Sequence, residues 1–192
     1  MPETPDGSFV MRRRILAVVA ASRVDSIVSL QAETVGAAED AYPAVQVVES
    51  YWREFGGLGD DSELRRAARP LVDGLRADAE TSGRPWARAV MAALDSVLGL
   101  IDMDVDVHRS RAQVIGSAFS VAYEFDQRGV APPAGANSWF SFEAAGQAAA
   151  ADQISSSGDS LSKEELFNLR VGAGSDAMHY HRAMKEWMRS VP

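Results

Sequence analysis

Two short runs hold the side-chain types best able to do chemistry. Residues 101–108 alternate strictly as Ile-Asp-Met-Asp-Val-Asp-Val-His, so Asp102, Asp104 and Asp106 stand at i, i+2 and i+4 with His108 next in the row. Three carboxylates at that spacing resemble the start of a calcium loop, which also needs Gly at its sixth position and Glu at its twelfth. Counted from Asp102, those positions hold Val107 and Gln113, and the calcium reading fails. The row can instead form an acidic rim for a basic partner, or a solvated connector in which Asp106 caps the next helix.

The second run is Asp176-Ala-Met-His179-Tyr-His181. Asp176 and His179 share a helix face at i, i+3, and two ligands on one turn can begin a metal site. A carboxylate-bridged pair of metals needs Glu-x-x-His twice and further Glu from other helices. No second copy occurs, and His181 falls on a different face. The 192 residues include 3 His and no Cys, which removes thiolate zinc, iron–sulfur clusters, cysteine nucleophiles and disulfides. There is no Gly-x-Ser-x-Gly elbow, no Walker loop, no His-Glu-x-x-His and no Gly-x-Gly-x-x-Gly opening a helix. Carboxylates from separate helices can still converge without leaving a motif.

Charge narrows the classes of partner. The chain carries 27 acids against 19 bases, a net charge of −8, and only Lys163 and Lys185 among the bases are lysines. That balance argues against sequence-independent nucleic-acid binding, which relies on basic stripes. Residues 36–83 hold 10 acids and 5 bases, so most of the excess, a net −5, falls on the second and third helices. Asp60, Asp61 and Glu63 form a second candidate rim there, competing with Asp102, Asp104 and Asp106. Aromatic residues could anchor a partner beside such acids. Tyr51, next to Trp52 and Phe55, spans more of the helix circumference than one core stripe needs and is expected to be partly exposed. Trp139, Phe140 and Phe142 cannot all face one core. Tyr51, Trp139 and Phe140 are therefore the candidate anchors.

The elements that must position these groups are helical. Residues 1–8 are polar, hold two prolines and read as a disordered tail. Apolar recurrence predicts a helix over 9–35, with Arg23 and Asp25 on its wet side. Further helices are predicted over 38–55, with Pro43 near the start, and over 62–79, where Pro70 should kink or restart the chain. Two more follow over 86–100 and 107–127. An uncharged Pro/Gly stretch at 129–137 marks a sub-boundary. Asn137 or Ser138 caps the next helix, with an Ala-rich body at 143–152. Ser162 and Glu165 form a capping box for a helix ending at Val171. Gly172 and Gly174 should break the chain before a last helix that runs from Ser175 or Asp176 to Arg189. Residues 101–108, with no second strand to pair them, read as an extended connector.

No run of 18 apolar residues exists, so no membrane span is expected. The basic and apolar stretch after Met11 reads better as a helix of a cytoplasmic protein than as a signal peptide. The expectation is a single all-α domain over 9–192, an irregular bundle of six to eight helices without cofactor. Its expected role is that of a non-enzymatic acidic protein-binding module. An inhibitor or immunity-type protein that neutralises a basic toxin is one concrete form. The alternatives are a metal-dependent helical enzyme using Asp176 and His179, and a homodimer that buries Met178, Met184, Trp187 and Met188.

Overall fold

The computed structural model describes residues 7–158 and 160–191. Among these, nine helices and no strand form an all-α bundle. In chain order they are α1 (Gly7–Val24), α2 (Ser26–Thr34), α3 (Tyr42–Val45, a single turn), α4 (Val47–Phe55), α5 (Ser62–Thr81), α6 (Ala87–Asp102), α7 (Val107–Gln127), α8 (Trp139–Ser156) and α9 (Lys163–Ser190). The expected tail begins helical at Gly7 and Ser8, and its first six residues lie outside the described part.

α1 is the central helix. From Ile15 onward it is buried nearly all round, through Ala17, Val18, Val19, Ala20, Ala21 and Val24, as a helix enclosed by others must be. It packs on α7 and α9 and also touches α6 and α8. α2 continues it after a 43° bend at Asp25. Ser22 bonds back to the Val18 carbonyl at 2.7 Å and accepts the Trp52 indole N–H at 2.9 Å. Such i−4 back-bonding commonly bends helices. No single described helix is long and apolar enough to cross a membrane; the bent α1–α2 pair has the composition, but it is interior to the bundle.

Two expected breaks are absent. α5 runs unbroken through Pro70, because Pro70 faces solvent, where water satisfies the carbonyl its ring leaves unpaired. α9 runs 28 residues, straight through Gly172 and Gly174. A helical Gly costs only about 1 kcal/mol, and α9 gains more by burying Leu169, Ala173, Tyr180, Ala183, Met184 and Trp187 along α1, α2 and α8. That burial also uses most of the face assigned to a homodimer. Met184 and Trp187 are interior, and Met178 alone among those four is largely exposed.

The stretch at 129–137 is tied down at its far end. Asp126 of α7 accepts the backbone N–H groups of Trp139 and Phe140 at 2.8 and 3.0 Å, and Val130 accepts the Trp139 indole N–H at 3.0 Å. Ser138 and Ser141 add a reciprocal capping box. One hydrophobic cluster then runs continuously from Ile15 to Trp187.

Candidate functional site

Charged residues gather in two places, one inside the bundle and one at its end. The interior group centres on Arg23, only 1% exposed, on α1. Its Nε donates to Glu143 Oε2 of α8 at 2.9 Å, its Nη1 to Asp176 Oδ2 of α9, and its Nη2 to the Phe142 carbonyl at 3.1 Å. Glu143, fully buried, also accepts the Tyr180 hydroxyl at 2.8 Å and the Gln147 amide at 2.7 Å. The guanidinium packs against α8 at Gly146, where a Cβ would overlap it. Only glycine leaves that room.

The network is electrically compact. Burial acts to lower the Arg23 pKa, but Glu143 and Asp176 overcome it and raise the value, so the guanidinium stays charged. Burial raises the Asp176 carboxyl above its ordinary value despite Arg23. The Tyr180 hydroxyl is raised by burial and by Glu143, and so remains a donor. A 120 Å³ cleft lined by Gly146, Gly172, Ala173 and Asn168 reaches Arg23 and Asp176. The arrangement holds three helices in register.

Arg23, expected on a wet face, is thus the pivot of the interior, because the helix carrying it is enclosed on every side. Asp176, a candidate metal ligand, is instead held by Arg23. His179 sits edge-on to the Phe142 ring, 5.6 Å between centroids. No group of three or more metal-ligating side chains meets among the described residues. Sequence reasoning missed Glu143 and Arg23 as a pair. The available signal was Glu143 as the single charge in the otherwise uncharged stretch 129–151, with Arg23 following eight uncharged residues.

Asp25, also expected in water, has its Oδ1 sealed from solvent without a hydrogen-bond partner. Burial first, and Glu49 second, push its carboxyl from 3.8 up to about 7. The unfolded chain therefore loses this proton before the folded one does, and stability falls as pH rises between those two values. Its position ahead of α2, where the helix dipole favours negative charge, offsets part of the cost. Asp25→Asn is expected to be more stable than the parent by about 1–3 kcal/mol near pH 8. The difference should vanish near pH 3, below both values, where the carboxyl is neutral in the folded and the unfolded chain alike. Urea unfolding at the two pH values measures it; equal stability at the higher pH would refute it.

The second group lies where the α4–α5 loop meets the α6–α7 turn. Arg65, only 2% exposed, donates from Nη2 to Glu54 at 2.8 Å, Asp104 at 3.3 Å and Asp60 at 3.5 Å. Arg14 binds Glu54 at 2.9 Å and Asp104 at 3.1 Å. Arg53 binds Asp61 at 2.7 Å, and Arg69 binds Asp102. Asp106 accepts two backbone N–H groups at the start of α7, as a cap should. Glu63 is exposed and makes no ion pair among the described residues. The two rims read as competing sites are therefore one, joined through Arg65.

The aromatic expectations divide. Tyr51, expected partly exposed, is fully buried; its hydroxyl donates to the Leu100 carbonyl at 2.7 Å and its ring lies 4.2 Å from the Arg65 guanidinium carbon. Trp139 is 1% exposed, edge-on to Phe125. Neither can anchor a partner. Phe140 is half-exposed beside Phe119, roughly 20 Å along α7 from Asp106, so it does not join the acidic end. The large apolar side chains that do stand open there were not singled out from the sequence: Leu58 is 78% and Val105 89% exposed, each within two residues of the joined rim. The chain matches no protein-family model, no curated protein and no solved structure.

Proposed function

We propose that the chain is a non-enzymatic protein-binding module that takes a basic partner on the end formed by the α4–α5 loop and the α6–α7 turn. An inhibitor or immunity-type protein that covers the active face of a toxin is one concrete form. One observation carries the reading. Two acidic segments, with Asp104 lying 39 residues beyond Arg65, converge on that arginine and frame the exposed Leu58 and Val105. Apolar tips inside a polar ring have the anatomy of an interface.

Buried Arg65 and its neighbours hold the carboxylates in place before any partner arrives, which lowers the entropy lost on binding. Seven carboxylates (Glu54, Asp60, Asp61, Glu63, Asp102, Asp104, Asp106) stand beside four arginines, which bind five of them, a difference of 7 − 4 = 3 negative charges. Arg66 and Arg109 on neighbouring turns reduce that excess to 3 − 2 = 1, and Arg13, which meets His108, offsets the remainder, so affinity must rest on the apolar tips, with the chain's net charge of −8 guiding approach.

Glu63→Arg combined with Val105→Arg tests the reading, since neither residue is an ion-pair partner of the rim. Immobilised parent and variant are compared for proteins retained from an extract of the source cells. A basic protein retained by the parent is expected to drop about tenfold or more with the variant. An unchanged set of retained proteins would refute the assignment.

A further inference from the structure

The N-terminal end of α1, the C-terminal end of α4 and the first turns of α9 enclose two adjoining hollows. One, of 240 Å³, is lined by Met11, Phe55, Leu161 and Leu166 with Arg12 at its edge. The other, of 160 Å³, is lined by Trp52, Leu58, Phe167 and again Leu166, with Lys163 and Arg170 at its edge. Leu166 belongs to both, so they are two halves of one groove. Met11 and Phe167, at 41% and 62% exposed, stand open along it together with Leu58. Single exposed apolar side chains need no explanation, but several around one groove mark an interaction surface.

The charges at this groove run against those of the chain as a whole. In a chain of net charge −8, every charged side chain lining either hollow among the described residues is a cation: Arg12, Lys163 and Arg170. Arg12 donates to the carbonyls of Ser157 and Gly158, and no ion pair is made to it among the described residues. Arg170 meets Glu49 at 2.8 Å but stays half-exposed. Glu165, two residues after Lys163, is turned into its capping box and toward Ser157, and Glu164 beside Lys163 is exposed without lining either hollow.

We propose that this groove seats an amphipathic helix of a partner protein, apolar along one face and acidic on its flanks. The two hollows on either side of Leu166 suit side chains spaced one or two helical turns apart, as helix-in-groove recognition uses. The flanking acids would meet Arg12, Lys163 and Arg170. The proposal goes beyond the preceding one, because this groove is a separate face that adjoins the acidic end at Leu58 and at Phe55, whose ring faces Arg14.

The test uses a fluorescent helical peptide about four turns long, with Leu at i, i+4 and i+7 and Glu between them. Its counterpart carries Lys in place of Glu. Saturable binding of the acidic peptide, read by anisotropy and by Trp52 emission, is expected at a Kd of about 10 μM. The basic peptide should bind about tenfold more weakly or worse. Phe167→Ala and the pair Lys163→Glu, Arg170→Gln should each weaken the acidic peptide about tenfold while moving the melting temperature little, because all three side chains are exposed and the surface pair lost with Arg170 is a weak one. Glu63→Arg with Val105→Arg should leave peptide binding intact, which separates this proposal from the earlier one. No binding, equal binding of both peptides, or binding unaffected by these groove variants would overturn it. So would a concentration-dependent dimer abolished by Phe167→Ala, which would assign the groove to a second copy.

Discussion

Replacing Glu143 with Ala is expected to lower the unfolding free energy by about 3–5 kcal/mol. The substitution strands the buried Arg23 guanidinium with the more open Asp176 as its sole carboxylate and leaves the Tyr180 hydroxyl without its acceptor. A charge kept in a dry interior without its main partner bears a desolvation cost that the remaining contacts cannot offset. Glu143→Gln retains the volume and an acceptor for Tyr180, so its loss should be smaller. Gly146→Ala attacks the same point from the other side, since its methyl would occupy the place of the guanidinium. That variant should approach the Glu143→Ala loss although it removes no charged group. Denaturant unfolding measures all three. A change under about 1 kcal/mol in Glu143→Ala would show the network to be a bystander of the fold.

Trp139→Ala is expected to cost about 3–5 kcal/mol, as large aromatic truncations in cores do. Trp139 lies edge-on to Phe125 and against Tyr180 and Phe142, with its indole N–H held by Val130. It therefore couples the start of α8 to α7 and α9. Phe140 is the next residue and points the other way, half in solvent. Phe140→Ala should shift stability by less than about 1 kcal/mol. Neither change should alter capture of a partner by the acidic end, which lies elsewhere. A Phe140→Ala variant that folds normally but loses that partner would relocate the interface to the outer face of α7.

The helical character was legible because apolar spacing, glycines and caps agree along most of the chain. The bounds of α7, the Asp106 cap and the Ser162–Glu165 capping box are all local features, and each appears where its residues indicate. Continuity through Pro70 and through Gly172–Gly174 was not legible. Those breaks depend on which side of a helix faces solvent and on how much a neighbouring helix covers, and neither is a local property. The same reason hid Arg23. Its charge suggests water, but the helix bearing it is surrounded, and the partners that permit its burial lie 120 and 153 residues away. At the acidic end, both candidate rims could be named from the chain. Their union through Arg65 is tertiary, as is the neutralising effect of four arginines. Leu58 and Val105 carried no signal, because an apolar residue in a loop becomes informative only once its exposure is known.

The central claim, that the acidic end receives a basic protein, is tested most directly by the association rate of the purified partner as salt is raised from about 0.05 to 0.5 M. The parent chain is expected to associate about tenfold or more slowly at the higher salt. Glu63→Arg with Val105→Arg should begin slower and change little. A rate for the parent that does not move with salt, or that falls equally in the variant, would contradict the claim.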